Sequence, residues 1–210
     1  LLFDHWGGLN TLFHILSNGG TVVFLESRNP DYVCELICKH KVELLPTSPT
    51  FLNMLLLSRA FERHDISSLK IISYGSEPMP ESILNRLNLH FPNVKLLQTY
   101  GLIELGVMSS KSKDNNSLWV KLGGDGYQTR VIDGLLEIKS DSAMLGYLNS
   151  ESPYTADGWF KTGDVGRWGG DANGDKAPKE YLCIVGRSKD LIISGGYNVY
   201  PKEIEGFIDD

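Results

Sequence analysis

Lys70-Ile71-Ile72-Ser73-Tyr74-Gly75-Ser76-Glu77-Pro78-Met79-Pro80 is the stretch that decides the fold. A short apolar run reads as a buried strand, and Gly75 to Pro78 break it. Pro80 then opens a helical pattern to His90, with proline at its first position and Glu81 in its first turn. Val94 to Gln98 is the next apolar run. Strand, turn, helix and strand in that order form a βαβ unit, which needs a parallel sheet.

The same alternation extends upstream. Ser48-Pro49 opens a helix through Ser58, serine serving as cap. Val42 to Leu45 reads as a strand and Asp31 to Lys39 as a helix with Val33, Leu36 and Ile37 inward. Thr21 to Leu25, β-branched and apolar, reads as another buried strand. Gly7 to Ser17 reads as a helix stopped by Asn18-Gly19-Gly20. The expectation is an α/β fold: a parallel sheet with helices on both faces, its ligands at the carboxyl ends of the strands.

From residue 117 onward the texture changes. Tyr127 to Ile132 and Leu135 to Lys139 flank Asp133-Gly134, a hairpin signal. Trp159 to Lys161, Asp164 to Gly166 and Tyr181 to Val185 read as further short strands, with an exposed loop at Gly169 to Lys179. The expected organisation is an α/β subdomain over 1–116, a small β subdomain over 117–186, and from 187 to 210 the beginning of a C-terminal domain. Leu1 is not an initiator and a helix opens just before Asp210, so the chain reads as an internal piece of a longer protein.

Composition narrows the function. The 210 residues are 41% hydrophobic, which fits a globular chain and excludes disorder. No apolar run approaches the ~18 residues of a membrane span. Twenty basic against 26 acidic side chains give a net charge of -6, which disfavours non-specific nucleic-acid or acidic-membrane binding. Three cysteines, Cys34, Cys38 and Cys183, form no disulfide framework and fit a reducing cytoplasm. Cys34, Cys38 and His40 lack a nearby fourth ligand, so buried packing is the better reading than a metal site.

Four segments carry candidate chemistry, each with a plainer alternative. Gly75-Ser76-Glu77-Pro78 either lets backbone approach a flat ligand or is an ordinary βα turn. Tyr100-Gly101-Leu102-Ile103-Glu104 either stacks a base, admits a phosphate and holds Mg²⁺, or is a capped loop. Asp157-Gly158-Trp159-Phe160-Lys161-Thr162-Gly163-Asp164 is either a hairpin or presents Asp164 to a pair of sugar hydroxyls. Gly186-Arg187-Ser188-Lys189-Asp190 leads through an apolar strand and the Ser194-Gly195-Gly196-Tyr197 turn to a proline-led helix at Pro201, and is either a linker or a hinge.

In this order the four segments resemble the AMP-forming acyl-activating (adenylate-forming) family, and within it the acyl-CoA synthetase/ligase branch. The resemblance covers nearly the whole chain. It implies ATP or AMP, Mg²⁺ and coenzyme A as cofactors, and a carboxylic acid as substrate. It implies that Gly75, Ser76, Glu77 and Pro78 lie against adenine. By the same resemblance Tyr100 stacks on the base beside Gly101, Asp164 and Arg187 hold the ribose, and Glu104 meets the metal. His5, Gly7, Gly101 and Gly106 fall in the implied acyl pocket. Lys189 takes the hinge position, and the Ser194 to Tyr197 turn lines a pantetheine tunnel. A phosphate-binding loop upstream of Leu1 and a catalytic lysine beyond Asp210 lie outside the chain. No catalytic residue is therefore expected within it, and the chain alone is expected to be inactive.

One residue departs from the pattern. Ile103 stands where the family carries threonine or serine, and isoleucine cannot donate to a phosphate. It is expected either to weaken that contact or to pack beneath the loop. The reading is an ATP-dependent acid–thiol ligase; the alternatives are a non-catalytic acyl-adenylate binding module and an amide-forming ligase.

Overall fold

The computed structural model describes residues 6–170, 177–194, 197–201, 204 and 208. Two compact units emerge, the first over residues 1–98 and 114–116, the second over residues 99–113 and 117–210.

The first unit is built from α1 (Trp6–Ser17), α2 (Pro30–His40), β1 (Leu44–Thr47), α3 (Pro49–Ser58), β2 (Ile71–Tyr74), α4 (Glu81–His90) and β3 (Lys95–Gln98). The strands form a parallel sheet in the order β1-β2-β3. Asn29 caps α2, its side chain accepting from Asp31 N at 2.8 Å. Ser48 caps α3 the same way, accepting from Phe51 N at 3.3 Å. Pro46 fits because β1 lies at the sheet's edge, where a missing N–H breaks no ladder.

α3 packs against both α2 and α4. The three form one layer. Two crossovers of one hand, each stepping the same way across the sheet, return their helices to the same side. Under that layer Leu52, Ile72, Leu84, Leu87 and Leu96 are almost wholly buried. Truncating any of them to alanine is expected to cost about 2–5 kcal/mol.

Thr21 to Leu25 does not form the expected strand. Phe24 and Leu25 are exposed, and the run pairs with no strand among the described residues. A β-branched run makes a strand only where a neighbouring ladder receives its backbone. The opposite edge of the sheet is covered. Asn115 accepts from Leu96 N at 3.0 Å and donates to Val94 O at 2.8 Å, replacing a fourth strand with one side chain.

The second unit holds a two-stranded ladder of β4 (Gly101–Leu102) and β5 (Gly106–Val107). A six-stranded antiparallel sheet follows, from β6 (Ser109–Ser112), β7 (Trp119–Gly123), β8 (Tyr127–Ile132), β9 (Leu135–Ser140), β10 (Phe160–Trp168) and β11 (Leu182–Arg187). Its order is β6-β7-β11-β10-β9-β8. The hairpin read at Asp133-Gly134 joins β8 to β9. The two short strands expected around Gly163 are one long strand, β10. A last pair, β12 (Ile192–Ser194) and β13 (Tyr197–Val199), follows a 3-10 turn at Ser188–Asp190. The core of this unit is Leu105, Met108, Leu136, Ile138, Phe160 and Leu182.

Candidate functional site

β10 buries its even-numbered side chains, so Phe160, Thr162 and Asp164 all point to the core face. A carboxylate there is costly unless it is paired. The strand re-aims it through a bulge: the pairing with β9 slips between Lys161 and Val165, and Gly163 inside that slip takes φ +75°. Thr162 locks the bulge, its hydroxyl accepting from Asp164 N at 3.0 Å and donating to Leu136 O at 2.8 Å.

Asp164 then sits directly across the ladder from Arg187 of β11. Arg187 Nε lies 3.2 Å from its Oδ1, and the Tyr100 hydroxyl donates to Oδ2 at 2.5 Å. Burial raises the Asp164 pKa above the usual carboxylate value, while Tyr100 and Arg187 pull it back down. Burial, then the neighbouring charge of Asp164, holds the Tyr100 hydroxyl protonated well beyond its ordinary range. Each carboxylate oxygen has two acceptor positions, and these two partners take one on each. What remains suits two adjacent hydroxyls. Arg187 is half exposed where Asp164 is buried, so the pair opens toward solvent on the arginine side.

Tyr100 also leads into the ladder that carries Glu104. A Cβ at Gly101 would lie 2.9 Å from both Gly106 O and Val107 Cα, so only glycine lets β4 and β5 meet. Gly106 closes the turn at φ +86°. Gly101 and Gly106, two of the three glycines expected in an acyl pocket, therefore have a backbone role in this hairpin. Leu105 N bonds Leu102 O at 3.1 Å, leaving Ile103 and Glu104 at the tip. Ile103 is 65% exposed and does not pack beneath the loop, because both central residues of so tight a turn point outward.

Glu104 is held from a distant segment. Its Oε1 accepts from the Tyr147 hydroxyl at 2.6 Å, and its carbonyl accepts from Met144 N at 2.8 Å. The bond to Glu104, more than burial, pushes the Tyr147 pKa up to about 12. Arg187's positive charge acts on both Tyr100 and Tyr147, so the two clusters share one field.

The Gly75-Ser76-Glu77-Pro78 loop belongs to the first unit. Ser76 takes φ +72°, a left-handed conformation that costs a non-glycine residue about 1 kcal/mol or more. Glu77 holds the loop there. Its Oε1 accepts from Thr50 N at 3.0 Å and its Oε2 from Thr50 Oγ1 at 2.8 Å, so it caps the start of α3.

Gly7 lies in the first turn of α1. Lys189 is exposed in the 3-10 turn between β11 and β12. His5, Gly195 and Gly196 lie outside the described residues. Thr50 and Tyr147 escaped the sequence reading, and Thr162 was quoted in its motif but given no role. Thr162 had a local signal, a hydroxyl before Gly-Asp; the other two act across 27 and 43 positions and had none.

Among the described residues no cluster of three or more histidine, cysteine, aspartate or glutamate side chains can cage a metal. Glu104 offers a single carboxylate at a half-buried turn. That donor set does not suit a resident ion, but it fits Mg²⁺ arriving on phosphates, which needs only one or two protein carboxylates. No described helix is long and apolar enough to cross a membrane.

The chain is similar to known proteins in sequence and in fold. Indoleacetate–CoA ligase of Aromatoleum aromaticum is 30% identical over 226 residues, covering 98% of this chain and 42% of that ligase. ATP-bound MatB of Rhodopseudomonas palustris superposes with a TM-score of 0.79 at 29% identity, covering 100% of this chain and 43% of its own. The amide bond synthetase McbA of Marinactinospora thermotolerans gives 0.73 at 28% identity, over 94% of this chain and 42% of its own. The chain thus spans less than half the length of each relative. A family model for AMP-binding enzymes matches residues 2–156, well over half the chain, and the chain belongs to that family.

Proposed function

We propose that the whole protein is an AMP-forming ligase that activates a carboxylic acid as its acyl-adenylate and passes the acyl group to coenzyme A. The observation that carries this reading is the buried Asp164 carboxylate, shared by Tyr100 and Arg187 with acceptor positions left over. Such a group suits the two hydroxyls of a ribose. Arg187 neutralises the carboxylate, and Tyr100 brings an aromatic ring to the ribose-binding group, where a base would stack on it.

In the first half-reaction a substrate carboxylate oxygen attacks the α-phosphorus of ATP. The new P–O bond replaces the bond to pyrophosphate, which leaves with its electron pair. The protein supplies no nucleophile; it supplies position and charge stabilisation. Glu104 would hold Mg²⁺, whose charge offsets that building on the leaving pyrophosphate. Asp164, Arg187 and Tyr100 fix the nucleoside, with Gly75, Ser76, Glu77 and Pro78 along the adenine. In the second half-reaction a thiolate attacks the acyl carbon and AMP leaves.

This reading keeps the three-part organisation 1–116, 117–186 and 187–210, with Lys189 as the pivot of a C-terminal domain. It keeps an acyl pocket that involves His5, Gly7, Gly101 and Gly106, and a cytoplasmic location. An amide-forming second step is the competing reading, favoured by the likeness to an amide bond synthetase.

The test is pyrophosphate release by the full-length protein, screened across carboxylic acids, followed by product analysis with coenzyme A or amines. Acid-dependent pyrophosphate release and a thioester product are expected. An amide product supports the competing reading. Nucleotide binding with no release for any acid points to a non-catalytic adenylate-binding protein.

A further inference from the structure

We propose that Tyr147 is a positioning residue for the Glu104 carboxylate, fixing it in the orientation in which it meets the nucleotide-borne cation. This rests on the reading of Glu104 as that ligand. Glu104 sits half-buried at the tip of a tight turn, where one hydrogen bond can select the rotamer of its side chain. The Tyr147 hydroxyl, 2.6 Å from Oε1, supplies the selection. It occupies one oxygen and leaves Oε2 for a ligand.

The donor is itself anchored. Met144 N bonds the Glu104 carbonyl at 2.8 Å, and the Tyr154 hydroxyl bonds the Met144 carbonyl at 2.5 Å. Tyr127 and Ser142 both donate to Leu105 O, at 3.0 and 2.9 Å. The segment from Ser142 to Tyr154 therefore runs along the Glu104 turn, joined by hydrogen bonds to backbone.

Burial does not explain why a tyrosine stands here. Leu145 and Leu148 on either side of it are 104% and 99% exposed, and Tyr147 itself is 45% exposed. This stretch gains little from packing its side chains, so the phenol is held through its hydroxyl. Carboxylates that bind metals are characteristically oriented by such partners, whose loss lowers metal affinity about 10–100-fold.

The experiment uses the full-length protein with a non-hydrolysable ATP analogue. Free Mn²⁺ is followed by its paramagnetic resonance signal for wild type, Tyr147→Phe and Glu104→Gln, and AMP binding without metal is measured by calorimetry. Tyr147→Phe is expected to bind Mn²⁺ about 10–100-fold more weakly with AMP affinity unchanged. Mn²⁺ affinity equal to or tighter than wild type in Tyr147→Phe, with Glu104→Gln impaired, overturns the role of Tyr147 alone. Equal Mn²⁺ affinity in wild type and Glu104→Gln overturns the assignment of Glu104 and this inference with it. Loss of metal-free AMP affinity in Tyr147→Phe also overturns it, because a collapsed segment would then be the cause.

Discussion

Glu77 in the first unit and Asp164 in the second are both carboxylates in segments read as ligand-facing, yet the fold treats them differently. Glu77 gives both oxygens to Thr50 at the start of α3, and in doing so holds Ser76 in a left-handed backbone. Its charge is used inside the scaffold. Asp164 is 5% exposed, its pKa is raised by burial, and its two partners leave acceptor positions open. A carboxylate that completes a helix cap stabilises its unit. One held buried below its hydrogen-bonding capacity costs stability and keeps that capacity for something else.

The largest effect that tests this contrast is on binding. Asp164→Ala in the full-length protein is expected to weaken AMP and ATP by about 1.5–3 kcal/mol, the range for hydrogen bonds to a charged group. Unchanged affinity by calorimetry breaks the comparison. Asp164→Asn sharpens it through stability. Burial raises the folded pKa above the ordinary aspartate value of 3.8, so the protonated form is the one folding favours. That contribution is complete below 3.8 and is lost as pH rises through the folded value. At neutral pH the asparagine form should melt no lower than wild type while binding nucleotide worse.

Glu77→Ala should act the other way. Removing a cap of this kind costs about 0.5–2 kcal/mol, read as a lower melting temperature. If Glu77→Ala melts like wild type, the carboxylate does not support α3. A smaller effect is expected at Ile103. Placed at an exposed turn tip, Ile103→Thr should tighten AMP binding by about 0.5–1.5 kcal/mol, the net value of one hydrogen bond. No gain in titration means the tip does not reach the phosphate.

The smallest effect appears only in acid. Arg130 pairs with Asp157 at 2.9 Å and Glu137 at 2.7 Å beneath the Trp159 ring, and its hydrogen bond depresses the Asp157 pKa to about 2. That contribution is present above 3.8 and is lost as pH falls toward about 2. Arg130→Met should remove this pH dependence from acid unfolding while leaving nucleotide binding alone. The pair is exposed and screened by salt, so the change should be slight.

Sequence alone determined the elements whose signals are local. Pro and Ser at helix starts, and apolar runs between glycine turns, marked α2, α3, α4, β2 and β3 within a residue or two. Asp133-Gly134 marked its hairpin. It did not reveal β6 or β7, because Ser109–Ser112 is polar and the pattern around Trp119 too short for its period to register. It read a strand at Thr21 to Leu25 that only a neighbouring ladder would have made. Tertiary structure decided which carboxylates serve the scaffold and which stand open. Asp164 meets Arg187 across a ladder and Tyr100 across 64 positions, while Glu104 meets Tyr147 across 43. Those meetings depend on strand order, a bulge and the path of one loop. No local preference encodes them, because hydrogen bonds between distant residues exist only after the chain has closed on itself.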